Sequence, residues 1–273
     1  MATDVIVPSQ LLADLAGEER DLDAIVAPLP AAGWLRTTPA AGWDVRDQIT
    51  HLAWVEEAAR LAAAEPDAFA ERVVTPARTA PDFEARQMAR GRALSGPEVL
   101  EWWRRERAAA LAALTDLDPA ARLPWFGPSM SLRSFVTARI METWAHGQDV
   151  VDALGVERAP TDRLRHVAHI GVSTRGWSYA VRGLPASEAP VLVELDAPSG
   201  ATWRWGPDDA EDRVRGPALD FCVVVTQRRH WKETALSVHG AAATEWLGMA
   251  QAFAGPPTEV VPGRGPQRGR EQA

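Results

Sequence analysis

Leu11, Leu15, Leu22, Ile25, Val26 and Leu29 recur at the three- and four-residue spacing of a single helix face. The same period returns three more times before Gly155, so the first half of the chain is bound to pack as a helical bundle. The first helix follows Pro8-Ser9, with Ser9 as its cap, and ends in the stretch from Pro28 to Ala32. A second starts at Asp44. Asp47 stands three residues later, where a carboxylate favours the exposed N–H groups and the dipole. Ile49, Leu52 and Val55 continue it, and Pro66 stops it. A third begins at Pro97 and runs through Val99, Leu100, Trp103, Leu111 and Leu114. The fourth, capped by Ser129 or Ser131, runs to Leu154, where Gly155 supplies the stop.

Between the second and third helices, residues 66–95 carry Pro66, Pro76 and Pro81 and read as an irregular crossover or flap with one short helix near Phe83–Arg90. Beyond the bundle, a fifth helix is expected over Asp162–Arg182. Val191–Leu195 and Ala201–Trp205 read as strands of a hairpin, with a third strand at Arg213–Arg215. Pro217 opens a further helix. Leu236–His239 reads as a strand and Ala241–Phe253 as a last helix. The expected class is α+β: a four-helix bundle over 8–158, a small α/β domain over 159–254, and a Pro/Gly/Arg-rich disordered tail over 255–273.

Composition excludes several functions. The 273 residues carry a net charge of −8, with no Lys/Arg run that would track phosphates, so nucleic acid is not an expected partner. One cysteine, Cys222, leaves no disulfide framework and no multi-cysteine zinc site. No apolar run spans a bilayer and the N-terminus lacks a basic leader, so the expectation is a cytoplasmic protein with no membrane partner.

The chemistry is carried by three residues. Glu142 and His146, in METWAH, are four apart on the fourth helix and share a face. Their neighbours Ile140, Met141, Trp144 and Ala145 are apolar, so this is no solvated charge stripe. A carboxylate and an imidazole buried there need a partner, and a divalent cation is one. His51, in QITHLAW, sits midway along the second helix in an equally apolar stretch. Two histidines and a carboxylate form a catalytic-type ligand set with positions left open. The competing readings are an ion pair within one helix for Glu142 and His146, and a hydrogen-bonded core histidine for His51.

The runs GWDVRDQITHLAW (42–54) and ARIMETWAHGQDVVDALG (138–155) resemble the second-helix and metal-helix motifs of the DinB/YfiT-like superfamily. More narrowly, the chain over 8–254 resembles the mycothiol-dependent maleylpyruvate isomerase family, in particular an actinobacterial metal-binding branch. That resemblance implies a DinB-like bundle followed by a small sterol-carrier-like domain. It implies His51, Glu142 and His146 as ligands to a divalent metal, with zinc expected, and Asp149 as the group orienting His146. It also implies an arginine that holds an acidic substrate or the thiol. Arg228 and Arg229, in VVVTQRRHW, are the candidates; two surface charges at a helix end are the alternative. Arg139 resembles a position near the site or paired to an acid of the second helix, with Asp47 as its expected partner.

The implied activity is isomerase or S-transferase chemistry on a small electrophile. It would use mycothiol or a similar small thiol activated as a metal-bound thiolate. Cys222 lies in the apolar run FCVVV and is not expected to be that thiol. A non-catalytic metal-binding stress or regulatory protein, and an Fe(II) enzyme with the same ligands, are the alternatives. Monomer and homodimer are both open, as is the substrate.

Overall fold

The computed structural model describes residues 8–257, which form two compact units: one of 8–38 with 43–154, the other of 39–42 with 155–257. In the first unit, α1 (Pro8–Val26) is followed by a single turn, α2 (Ala31–Trp34), and by α3 (Val45–Ala64). Asp44 caps α3 reciprocally. Its Oδ1 accepts from the Asp47 N–H at 2.8 Å, and its own N–H donates to Asp47 Oδ2 at 3.2 Å. The two aspartates of the WDVRD run therefore fix where α3 begins, and with it the height of His51 along the helix.

Residues 66–95 are more regular than their prolines imply. They form α4 (Pro66–Phe69), a π-helical turn (Ala70–Val74), α5 (Thr75–Thr79) and α6 (Phe83–Arg92). The expected irregular crossover is thus corrected to a chain of short helices. Pro66 and Pro76 lie in the first turns of α4 and α5, where a missing N–H costs nothing. Next comes α7 (Gly96–Thr115), with a second capping box between Ser95 and Glu98. A short hairpin of β1 (Arg122–Leu123) and β2 (Met130–Ser131) leads into α8 (Leu132–Leu154).

Helices α1, α3, α7 and α8 pack as the bundle. Leu15, Leu114, Phe135 and Ile140 fill one end of its core; Leu22, Ile49, Trp103 and Val150 fill the other. Each such burial contributes about 1.5–3 kcal/mol. Where α6 crosses α3, a Cβ on Gly91 would stand 2.0 Å from Thr50 Oγ1, so only glycine permits this approach.

The second unit starts with α9 (Leu164–Ser173) and α10 (Arg175–Ala180). The expected continuous helix over Asp162–Arg182 is broken at Thr174, which leaves helical geometry at φ −93°, ψ 13° and whose hydroxyl donates to the Ile170 carbonyl. The sheet has the order β4-β3-β5-β6, from β3 (Val191–Asp196), β4 (Thr202–Trp205), β5 (Asp212–Pro217) and β6 (Ser237–His239). β3 pairs antiparallel with β4 and parallel with β5. Gly206 makes the return possible. It has φ 95°, and a Cβ there would lie 2.2 Å from the Val191 carbonyl oxygen. α11 (Ala218–Val225) follows β5, and α12 (Ala241–Met249) closes the unit four residues short of the expected Phe253. The architecture is α+β. The tail expected from residue 255 lies, from 258 on, outside the described residues. Among the described residues no helix is long and apolar enough to cross a membrane.

Candidate metal centre

His51 on α3 and Glu142 and His146 on α8 come together, with one ligand atom from each within 4.8 Å of the others. His51 Nε2 lies 3.5 Å from Glu142 Oε2, and His146 Nε2 lies 3.3 Å from the same oxygen. These are long for charge-assisted hydrogen bonds, which close to about 2.7–2.9 Å. They do match the edges of a coordination tetrahedron. Ligand atoms about 2.1 Å from a tetrahedral centre stand about 3.4 Å apart. The imidazole centroids are 4.4 Å apart with planes at 35°, so both rings converge without stacking. The donor set, two nitrogens and a carboxylate oxygen, fits a borderline divalent cation.

Burial alone would raise the Glu142 carboxyl. The imidazoles of His146 and His51 and the Arg139 guanidinium outweigh it and hold the carboxyl well below the ordinary range. Glu142 is therefore a ready anion. The His51 and Glu142 side chains remain 16 % and 21 % exposed, so the centre is reachable.

The surroundings fix the rings. His146 Nδ1 is 2.6 Å from Gln48 Oε1, and Gln48 Nε2 donates to Thr38 Oγ1 at 2.8 Å. Gln48 is fully buried. An amide oxygen at Nδ1 selects the tautomer with the proton there and leaves Nε2 free to coordinate. Asp149, the residue expected to orient His146, is buried on α8 three positions further along. Spacing could have found Gln48, because it lies three residues before His51 and shares its face. Trp43 stacks on His146 at 5.9 Å and 16°, and Trp54 meets His51 edge-on at 5.3 Å and 84°. His51 Nδ1 is buried with no hydrogen-bond partner among the described residues, so this ring is oriented by its aromatic packing and by Glu142 at Nε2.

Arg139 does not pair with Asp47. Asp47 is held by Arg92 through two 2.9 Å hydrogen bonds. Arg139 is buried instead, with its guanidinium 4.9 Å over Trp125 and its charge acting on Glu142 and Glu56. Glu56, fully buried on α3, is pushed up to about 7 by burial, against the pull of Arg139 and Arg107. Nothing in its sequence surroundings marked it.

Arg228 and Arg229 lie in the second unit, just beyond α11. Gln227 before them adopts φ 60°, a left-handed turn that ends the helix. Arg228 Nη1 donates to the Thr226 carbonyl at 2.7 Å, and Arg229 is exposed. Cys222 is fully buried and its thiol is pushed far up by burial, so it is not an available nucleophile.

Residues 15–151 match the family model described as mycothiol maleylpyruvate isomerase N-terminal domain. The chain belongs to that family. A second model, described as wyosine base formation, matches residues 188–238, the span from just before β3 into β6. Two uncharacterized proteins from two strains of Mycobacterium tuberculosis are each 47 % identical over 250 residues, covering 92 % of this chain and 97 % of theirs. The crystal structure of the mycothiol-dependent maleylpyruvate isomerase superposes with a TM-score of 0.62 at 17 % identity, over 89 % of this chain and 98 % of that one. A histidine-to-alanine mutant of that isomerase gives 0.61 at 16 % identity, with the same coverage. At such identity the likeness is one of fold.

Proposed function

We propose that this protein is a divalent-metal enzyme that uses a small thiol, mycothiol or a close relative, to isomerise or S-conjugate a small electrophile. The observation that carries this reading is the pair of 3.3 and 3.5 Å edges joining His146 and His51 to one oxygen of Glu142. A zinc-like cation held by those residues would supply Lewis acidity, which lowers the pKa of a thiol ligand from its free value near 8.5.

The chain's own groups do the rest. Glu142 contributes the negative charge, and the two imidazoles contribute neutral donors aimed by Gln48, Trp43 and Trp54. Three protein ligands leave a further position for the incoming sulfur. Because Cys222 is sealed in the core, thiolate chemistry here depends on an added cosubstrate. Sulfur addition to one alkene carbon, rotation about the resulting single bond, and loss of the same sulfur interconvert cis and trans isomers with no net consumption of thiol. We assign Arg228 and Arg229 to holding an acidic group of the substrate or thiol.

The test is turnover of maleylpyruvate by zinc-loaded protein with and without mycothiol. The reading predicts activity only with thiol, abolished by a chelator and restored by zinc. Thiol-independent turnover, or none with metal and thiol both present across small electrophiles, contradicts it.

A further inference from the structure

One arginine among the described residues is buried: Arg139 on α8, 4 % exposed. Other arginines of the bundle show what a stabilising guanidinium does here. Arg104 and Arg107 both ion-pair with Asp23, and Arg92 pairs with Asp47. Arg139 does neither. Among the described residues no carboxylate closes an ion pair with it, and its Nη1 is buried with no hydrogen-bond partner. Its guanidinium lies instead over Trp125 at 4.9 Å. A cation–π contact offsets only part of the penalty for burying a charge without a counter-ion.

The place of Arg139 on α8 says where that charge acts. Residues 139, 142 and 146 stand at i, i+3 and i+7, on one face of the helix. The first two are surface neighbours, about 5–6 Å apart at Cβ. The uncompensated cation therefore sits one turn from the carboxylate that both histidines meet. Keeping Glu142 ionised does not explain it, because the two imidazoles act on that carboxyl more strongly. Glu56 on α3 feels the same guanidinium without pairing to it.

We infer that Arg139 is a fixed positive charge that biases the metal centre toward an anionic fourth ligand, a thiolate over a neutral thiol, at a loss of metal affinity. This rests on the thiol reading above and adds how the site favours ionised sulfur. The logic is Coulombic. A cation fixed near the centre repels an incoming divalent ion and attracts the anion that completes its shell. Arg139 is a positioning residue: it acts through Glu142 and the metal, away from the reacting atoms.

The test uses cobalt(II)-loaded protein at pH 8, whose absorption reports the metal's shell. Metal affinity is read by chelator competition, and anion affinity by titration with azide and then with mycothiol. Arg139→Met keeps an apolar stem and removes the charge. It should bind cobalt roughly five- to thirtyfold more tightly, and azide and mycothiol thiolate more weakly by a similar factor. Arg139→Lys keeps the charge and should stay near wild type in both. Glu56→Gln removes a negative charge that opposes the arginine at this pH. It should move both affinities the other way, which covers the case in which Arg139→Met does not fold. A purely structural role for Arg139 would lower both affinities together or leave both unchanged, and either result overturns the inference. Azide separates that failure from failure of the thiol reading. Azide affinity that follows the charge, with no sulfur-to-cobalt band from mycothiol in any variant, overturns the thiol reading and supports the role of Arg139. A mycothiol band in every variant, with thiolate and azide affinities indifferent to the charge, overturns the inference and leaves the thiol reading standing.

Discussion

At the scale of single residues, Gln48 and Glu56 show how one helix prepares a site on one side and retains a proton on another. Gln48 Oε1 lies 2.6 Å from His146 Nδ1, and Gln48 is itself fixed by Thr38. Replacing it with methionine keeps the volume and removes the acceptor. Groups in this position typically affect metal affinity by about 10–100-fold. Gln48→Met should therefore weaken zinc binding by that factor in a chelator competition, with circular dichroism unchanged. Unaltered affinity would show that His146 needs no orienting partner. Glu56 makes a pH prediction. Its carboxyl titrates at about 7 in the folded protein against an ordinary 4.5. The folded state thus holds a proton that the unfolded chain has released, and stability falls as pH rises from about 4.5 to 7, then levels off. The shift corresponds to about 3 kcal/mol at most. Metal-free Glu56→Gln should be more stable than wild type at pH 8 and lose this slope in urea unfolding. An unchanged slope would place the proton elsewhere.

At the scale of elements, the site depends on the seating of α3. The capping box at Asp44 and Asp47 sets its start, and the contact of Gly91 with Thr50 sets its distance from α6. Asp44→Ala should cost roughly 1 kcal/mol in chemical denaturation. Gly91→Ala should cost about 1–3 kcal/mol, because its Cβ would push on the residue next to His51. A neutral Gly91→Ala would mean the helices separate freely there. Much of this was legible in the sequence. The caps, the apolar period and the offset of four between Glu142 and His146 are local, and local rules read them. The chain of short helices over 66–92 was not legible, because Pro66 and Pro76 read as breakers until their first-turn positions are known. The break at Thr174 was hidden for a related reason: the apolar period persists across it. Gln48 at His146, and Arg92 rather than Arg139 at Asp47, are choices between helices, which no single-helix period encodes.

At the scale of the whole molecule, two segments nearly a hundred residues apart deliver three ligand atoms to one point, while the chain's one cysteine is buried elsewhere. That division makes sense for a protein that brings its sulfur in from solution. Zinc, by binding the folded state, should raise the melting temperature, and the gain should vanish in His51→Ala. The most direct measurement is metal stoichiometry combined with X-ray absorption at the zinc edge on dialysed protein. The account predicts about one zinc per chain, with two imidazole nitrogens and a carboxylate oxygen at about 2.0–2.2 Å, lost in both His51→Ala and His146→Ala. Full zinc content in either variant, or a first shell without imidazole, would contradict it.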